Sequence, residues 1–476
     1  MTAGGRQPRI DRLPAGEIHA VGAAGMETAA MVRYLVEGGR DEIVLHDTSE
    51  ELDTAFWAAH RLQPAAHRAR ARAALAGCRE LRAGPDYLAG IGSAAAILVP
   101  VSWFLHPANA PLEPLRARFV SYPDACFDLW RGPVIGVTGS YGKTTTTRFA
   151  AALADGVFCG NDRESCCDLA ALARQPADRC MAFELSNRHL RNGFRRVLDV
   201  GVLTGITLNH EPDHGSFEAY RRAKYSLAGS CRDFLYHATI PAAFPDAAGI
   251  AARGTPYGNG AAWRLVAGAV QGPGGSRCPL PGAARLSALE RDNAVAAAAA
   301  ALLCGASAGE VEHRSDRLAA TTPRYRHAAS EMAGRRFIND AASCMPASTA
   351  ALVAALDRRF VLICGGDRQR YRHGEFDPLA AAVRANPHAV LVCTMGAMAG
   401  NIEASLRTAG FDAVVRCAHL EAAVERAIEV AGAVVVLSPG CGTGTGPGAP
   451  FADKYARGEA FDDAVSKLVS SDQAVS

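Results

Sequence analysis

Residues Val134–Phe149 read V-I-G-V-T-G-S-Y-G-K-T-T-T-T-R-F. These types at this spacing suit the holding of a phosphate chain. Val134 to Val137 form an apolar run fit for a short buried strand. Gly136, Gly139 and Gly142 let the backbone turn and come close to a ligand. Amides in such a loop, with the N-terminus of the next helix, make an anion cradle. Lys143 brings positive charge to the terminal phosphates, and the Thr144 hydroxyl is placed to ligate Mg²⁺. The common phosphate loop has a glycine five positions before its second; here that position is Val137, flanked by Gly136 and Gly139.

Two further clusters follow in the chain. Phe183–Ser186 reads F-E-L-S, and a carboxylate at the C-terminal end of a strand beside a phosphate loop is where a Mg²⁺-organising group belongs, which selects Glu184. Thr207–Lys224 crowds Asn209, His210, Glu211, Asp213 and His214 directly after an apolar strand, a density that suits a cation or phosphate site better than a packed core. Later stretches, F-I-N-D ending in Asp340, G-G-D-R ending in Arg368, and S-P-G-C-G-T-G-T-G-P-G from Ser438, also follow strands; each alone reads as an ordinary turn.

The elements that must position these groups alternate strand and helix. Strands are expected at Ile18–Gly22, Glu42–His46, Ala96–Pro100, Met181–Leu185, Val200–Leu208, Arg336–Asp340, Phe360–Cys364, Ala389–Thr394 and Ala433–Ser438. Helices are expected at Thr28–Val36, around Ser216–Leu227 and from Asp292 through an alanine-rich stretch. Gly22 and Gly25 followed by Asp47 give part of a dinucleotide-type turn, with the carboxylate where a ribose hydroxyl is usually met. The expectation is an α/β chain of three domains: residues 1–130 Rossmann-like, 131–320 around the phosphate loop with a mostly parallel sheet, and 321–476 again Rossmann-like. At 49% apolar and 21% charged residues the composition is that of a globular protein, and a net charge of +2 gives no reason to expect nucleic acid or an acidic membrane as partner. The basic run His67–Arg72 reads as a solvated helix face. Fourteen cysteines without a C-x-x-C pair suggest reduced, mostly buried thiols in a cytoplasmic protein. No run is long and apolar enough to insert into a membrane.

In this order the pieces resemble the Mur ligase family, ATP-dependent amide-forming enzymes that add amino acids to UDP-N-acetylmuramoyl precursors of peptidoglycan. T-G-S-Y-G-K-T-T-T resembles the family's T-G-T-N-G-K-T-T-T, glycine for glycine, which accounts for Val137. F-E-L-S, N-H-E-P-D-H, R-D-N-A-V-A-A-A, F-I-N-D-A-A-S-C-M-P, L-S-P-G-C-G and F-A-D-K-Y-A-R-G-E-A-F are most similar to the branch that adds glutamate to UDP-N-acetylmuramoyl-L-alanine. The resemblance implies ATP and Mg²⁺ as cofactors, and a UDP-linked muramoyl carboxylate and glutamate as partners of a monomeric enzyme. It implies that Gly139, Ser140, Gly142, Lys143, Thr144 and Thr145 hold the phosphates, with Thr144 on one Mg²⁺ and Glu184 and His214 on a second. It implies a carbamylated Lys224 as an extra metal-binding carboxylate, Asn293 at adenine and Asp340 facing the nucleotide. Asp47, Asn161, Ser186, Arg368 and Ser438 would touch the other substrates.

The departures are instructive. His214 lies ten positions before Lys224, closer than in the family, which keeps His210 open as the ligand. The family's P-H-R is P-R-Y-R here, leaving Arg324 or Arg326 as the phosphate-contacting arginine. The lysine of D-S-K is Ala342, Arg368 stands for another lysine, and the loop after Ser438 is long and glycine-rich. These four changes fall in the region expected to grip the amino acid, so an L-glutamate variant, or a related ligase with a different carboxylate substrate, is an expectation beside the main one. A nucleotide-binding homologue without catalysis is a further alternative.

Overall fold

The computed structural model describes residues 7–161, 168–207, 211–367, 374–443 and 449–475. It divides into two compact units, residues 1–286 with 290–321, and residues 287–289 with 322–476.

The first unit holds two parallel sheets. In the N-terminal one the strand order is Glu80–Ala83, Ile43–Asp47, Ile18–Val21, Ala96–Val99, Phe119–Ser121. The chain starts in the middle and winds outward in both directions, so the order reverses beside Ile18–Val21, where such sheets open a ligand crevice. All residues of Ile18–Val21, Ile43–Asp47 and Ala96–Val99 are buried, as expected of strands covered on both faces. In the second sheet the order is Thr255–Tyr257, Cys231–His237, Leu198–Leu203, Val134–Thr138, Met181–Glu184, Val157–Gly160, again all parallel. Val134–Thr138 is central, and its C-terminal end opens into the phosphate loop. A small antiparallel sheet, Arg264–Val266, Ala269–Gln271 and Arg277–Pro279, adjoins this region.

Helix Ala288–Leu303 carries eight consecutive residues, Ala294–Ala301, with no exposed surface. Small side chains let it lie close against the core residues Ile135, Val137, Val200 and Val202. The second unit is a six-stranded sheet in the order Ala328–Met332, Arg335–Asn339, Val434–Leu437, Phe360–Gly365, Ala389–Met395, Val414–Arg416; only Ala328–Met332 runs antiparallel.

Two expectations change. The strand expected at Val200–Leu208 ends at Leu203, because the Thr204 hydroxyl turns to the carbonyls of Thr138 and Tyr141. In the helix Ala65–Ala76, Arg70 and Arg72 are partly exposed and ion-paired, but His67 is buried, its ring held by the Arg33 guanidinium at 2.8 Å. All twelve described cysteines are free thiols and most are buried. No helix among the described residues is long and apolar enough to cross a membrane.

The N-terminal sheet encloses a histidine pair. His19 Nδ1 lies 2.8 Å from His46 Nε2, His46 Nδ1 lies 2.5 Å from the Tyr87 carbonyl, and both rings are fully buried. The carbonyl fixes a hydrogen on His46 Nδ1, so His46 Nε2 accepts from His19. Burial pushes the His46 imidazole down to about 4. Between pH 6.5 and 4 the unfolded chain therefore binds more protons than the folded one, and stability falls as pH falls. His46 alone should cost about 3 kcal/mol across that window. Urea unfolding at pH 7.5 and 4.5 checks this; equal midpoints would show that the pair does not stay neutral in the folded state.

Candidate active site

The phosphate loop forms because its glycines sit where no other residue fits. A Cβ on Gly139, whose φ is +151°, would lie 2.0 Å from Thr204 Oγ1. One on Gly142, at φ +78°, would lie 2.8 Å from Asn293 Oδ1. Gly142 precedes helix Lys143–Leu153, whose first-turn amides have no acceptor within the helix and so are available to an anion. The Lys143 ammonium folds back onto the loop, donating to Gly139 O at 2.9 Å and Ser140 O at 3.3 Å.

The hydroxyls of the loop divide their work. Ser140 Oγ accepts from the Thr207 amide at 3.0 Å and lies 2.8 Å from the Tyr220 hydroxyl, and the Ser140 amide donates to Gly205 O. Ser140 therefore braces the loop. Thr146 donates to Asn293 Oδ1 at 3.1 Å and Thr147 to Lys143 O at 2.8 Å. Thr145 is buried, while Thr144 is half-buried at the start of the helix. Asn293, the residue expected at adenine, thus stands against the loop at the start of the alanine-rich segment.

Beneath the loop is a buried charge cluster. Glu184 is 2% exposed; Oε1 accepts from Asn161 Nδ2 at 3.2 Å, and Oε2 has no hydrogen-bond partner among the described residues. Lys224, from helix Phe217–Tyr225, is fully buried, its Nζ donating to Thr138 Oγ1 at 2.9 Å. The Thr138 hydroxyl in turn donates to Leu185 O at 2.8 Å. Burial drives the Lys224 amine well below its usual range; the Lys143 charge adds to this and Glu184 opposes it. His214 ends the short helix Glu211–His214, with Nε2 3.0 Å from Asn187 Nδ2. Among the described residues no three His, Cys, Asp or Glu side chains gather as a metal cluster. A Glu184 oxygen without a partner among the described residues, beside a buried amine whose charged form is disfavoured, nevertheless fits a cation completed by a modified Lys224. His210 lies outside the described residues.

The remaining residues of the first unit are placed as follows. Both Asp47 oxygens hold backbone: Oδ2 accepts from Ala24 N at 2.9 Å and Oδ1 from Ser49 N at 3.0 Å, which ties the glycine turn to the next strand. Ser186 caps helix Asn187–Asn192, accepting from His189 N at 3.2 Å.

The second unit has its own buried centre. Asp340 is fully buried; its Oδ2 accepts from Ser438 Oγ at 2.7 Å and its Oδ1 from His327 N at 3.3 Å, with Arg326 Nη1 3.8 Å away. Arg326 also donates to Ser343 Oγ and Ala342 O. The residues on either side, Tyr325 at φ +56° and His327 at φ +51°, are left-handed without being glycine, a strain seen where a side chain must be aimed. Arg324 instead projects outward, 3.6 Å from Glu459, with over half its side chain exposed. Sequence reasoning gave no role to Thr138, Tyr220, His327 or Arg457. Arg457 is fully buried and donates to the carbonyls of Ala341, Cys441 and Gly442, binding two strand-end loops together. Its signal was its place in the stretch F-A-D-K-Y-A-R-G-E-A-F, which carried the resemblance without a role for the arginine. Arg368 lies outside the described residues.

Residues 137–238, which contain the loop, Glu184 and Lys224, match the model of the Mur ligase middle domain. A UDP-N-acetylmuramoylalanine–D-glutamate ligase from Symbiobacterium thermophilum is 30% identical over 338 residues, 66% of this chain and 72% of that one. The chain belongs to the Mur ligase family. A relative of the same name from Halalkalibacterium halodurans is 27% identical, covering 70% of this chain and 75% of its own. In fold the chain is similar to a UDP-N-acetylmuramate–alanine ligase from Thermotoga maritima, with a TM-score of 0.57 at 14% identity over 95% of this chain and 99% of that one. As a Mur ligase it is an ATP-dependent acid–amino-acid ligase.

The contrast between the two arginines is testable. Arg326→Ala removes the cation beside a fully buried carboxylate and should cost about 2–3 kcal/mol of stability. Arg324→Ala should change stability by less than about 0.5 kcal/mol. Urea denaturation of both variants decides it; equal losses would mean that Arg326 does not compensate Asp340.

Proposed function

We propose that the protein joins glutamate to UDP-N-acetylmuramoyl-L-alanine, as the names of its relatives suggest, through an acyl-phosphate intermediate. The observation that carries this reading is the burial of Glu184 and Lys224 directly beneath a phosphate loop with its lysine in place. A plain nucleotide-binding protein has no use for a carboxylate and an amine desolvated together at that point.

A carboxylate is a poor acyl donor, since its leaving group would be oxide. In the first step its oxygen attacks the γ-phosphorus of ATP and ADP leaves. In the second the amine of the amino acid attacks the acyl carbon, loses a proton, and inorganic phosphate departs. Both steps concentrate negative charge, which Lys143 and the helix amides offset. Glu184, Thr144, His214 and Lys224 are the residues we assign to Mg²⁺, which when bound would neutralise phosphate charge. The amine of Lys224, whose charged form burial disfavours, can in its neutral form add CO₂ and release a proton to give a further carboxylate. Arg326, rather than Arg324, is the arginine assigned to phosphate, and Asn293 and Asp340 are assigned to the nucleotide. We divide the first unit into domains 1–130 for the UDP end and 131–320 for ATP, place the protein in the cytoplasm as a monomer, and give residues 321–476 the amino acid. Ala342, buried where the family carries a lysine, favours altered amino-acid selection, and L-glutamate is the second reading.

Phosphate release from ATP and Mg²⁺ with UDP-N-acetylmuramoyl-L-alanine should depend on one glutamate enantiomer. Release with neither would reject this acceptor. Lys143→Ala should lower turnover at least 10³-fold with an unchanged unfolding midpoint; retained turnover would remove the loop from the reaction. Depleting CO₂ should slow the enzyme and bicarbonate should restore it, whereas a rate indifferent to CO₂ would reject the modified lysine.

A further inference from the structure

The N-terminal and central sheets of the first unit meet through a polar circuit that the reaction as described does not use. Ser186 N donates to His189 Nδ1 at 3.1 Å, so the ring hydrogen sits on Nε2, which faces Glu27 Oε1 at 3.4 Å. Glu27 Oε2 accepts from Val101 N at 2.8 Å, and Val101 O accepts from Asn192 Nδ2 at 2.8 Å. His189 is fully buried. Capping helix Asn187–Asn192 requires only the first of its nitrogens. The second reaches across to Glu27, on the helix that follows the first N-terminal strand.

The two ends of this circuit are well chosen. Ser186 lies two residues beyond Glu184. Glu27 is in the first turn of helix Met26–Glu37, directly after the Gly22–Gly25 turn that Asp47 holds, at the C-terminal end of Ile18–Val21. A second tie, Arg33 to Asp168 at 2.9 Å, joins the same helix to the central region away from Glu184.

We propose that His189 is a positioning residue for the acyl acceptor: with Glu27 it sets the distance between the N-terminal glycine turn and the strand end bearing Glu184. This rests on the function proposed above. A long acceptor held by its nucleotide at one turn and by its carboxylate near Glu184 reads that distance. ATP, held by the central loop, does not.

Glu27→Leu cuts the circuit and leaves the helix cap intact. It should raise KM for UDP-N-acetylmuramoyl-L-alanine at least tenfold while KM for ATP stays within threefold. Glu27→Gln, which keeps an acceptor for His189, should recover the acceptor KM to within threefold of wild type. An unchanged acceptor KM, or both KM values rising together, would overturn the proposal. If wild type releases no phosphate with this acceptor, the functional reading has failed, and amide hydrogen exchange decides the positioning. In Glu27→Leu the Ser186 and Val101 amides should exchange faster with those of Gly139–Lys143 unchanged; unchanged exchange at Ser186 would overturn it.

Discussion

Lys224 has no contact with water, and much of the central region can be understood as the means of tolerating that. An isolated ammonium in a protein interior costs several kcal/mol. The site answers the cost by disfavouring the charged form of the amine, through burial first and the nearby Lys143 charge second, with Glu184 opposing. Lys224 Nζ donates to Thr138 Oγ1, and that oxygen is oriented by donating its own hydrogen to Leu185 O. Thr138 ends the central strand and Leu185 follows the strand beside it, so amine, loop and Glu184 are registered by the sheet itself.

The second unit solves a related problem by other means. Asp340 is as buried as Lys224 but is charge-compensated, by Arg326 and by hydrogen bonds from Ser438 and the His327 amide. The backbone takes up strain to allow this, with two left-handed residues around Arg326. Tyr325 is held in place by packing on Gly458, where a Cβ would come within 2.5 Å of the ring. Asn339 in turn donates to Gly458 O and to Asp462.

Much of this was legible in the sequence, for identifiable reasons. Strands buried on both faces, such as Ala96–Val99 and Phe360–Gly365, announce themselves as unbroken apolar runs. The loop was legible because its glycines answer to close contacts that admit no other side chain. Short or edge strands were not: Glu80–Ala83 and Val414–Arg416 are half solvated and carry charge, and Ala328–Met332 is an exposed, antiparallel edge. Among side chains, the sequence nominated Ser140 as a phosphate contact, but could not show its hydroxyl bound by Thr207 and Tyr220, distant in the chain. Nor could it separate Arg324 from Arg326, two residues apart, since the left-handed turn at Tyr325 between them is not written in the residue types.

The eight buried residues Ala294–Ala301 have a consequence for how this region can vary. Apart from Val295 they are all alanines, and they sit in a core of interior density. Deleting atoms there removes almost nothing, so the usual hollowing of a core is scarcely available as a form of damage. Nearly every change is an enlargement, and enlargements push the whole helix rather than one side chain. The residue directly before that segment is Asn293, which accepts a hydrogen bond from Thr146 of the helix that follows the phosphate loop. Size drift in a segment far from any reacting atom would thus be transmitted to the nucleotide end as a displacement.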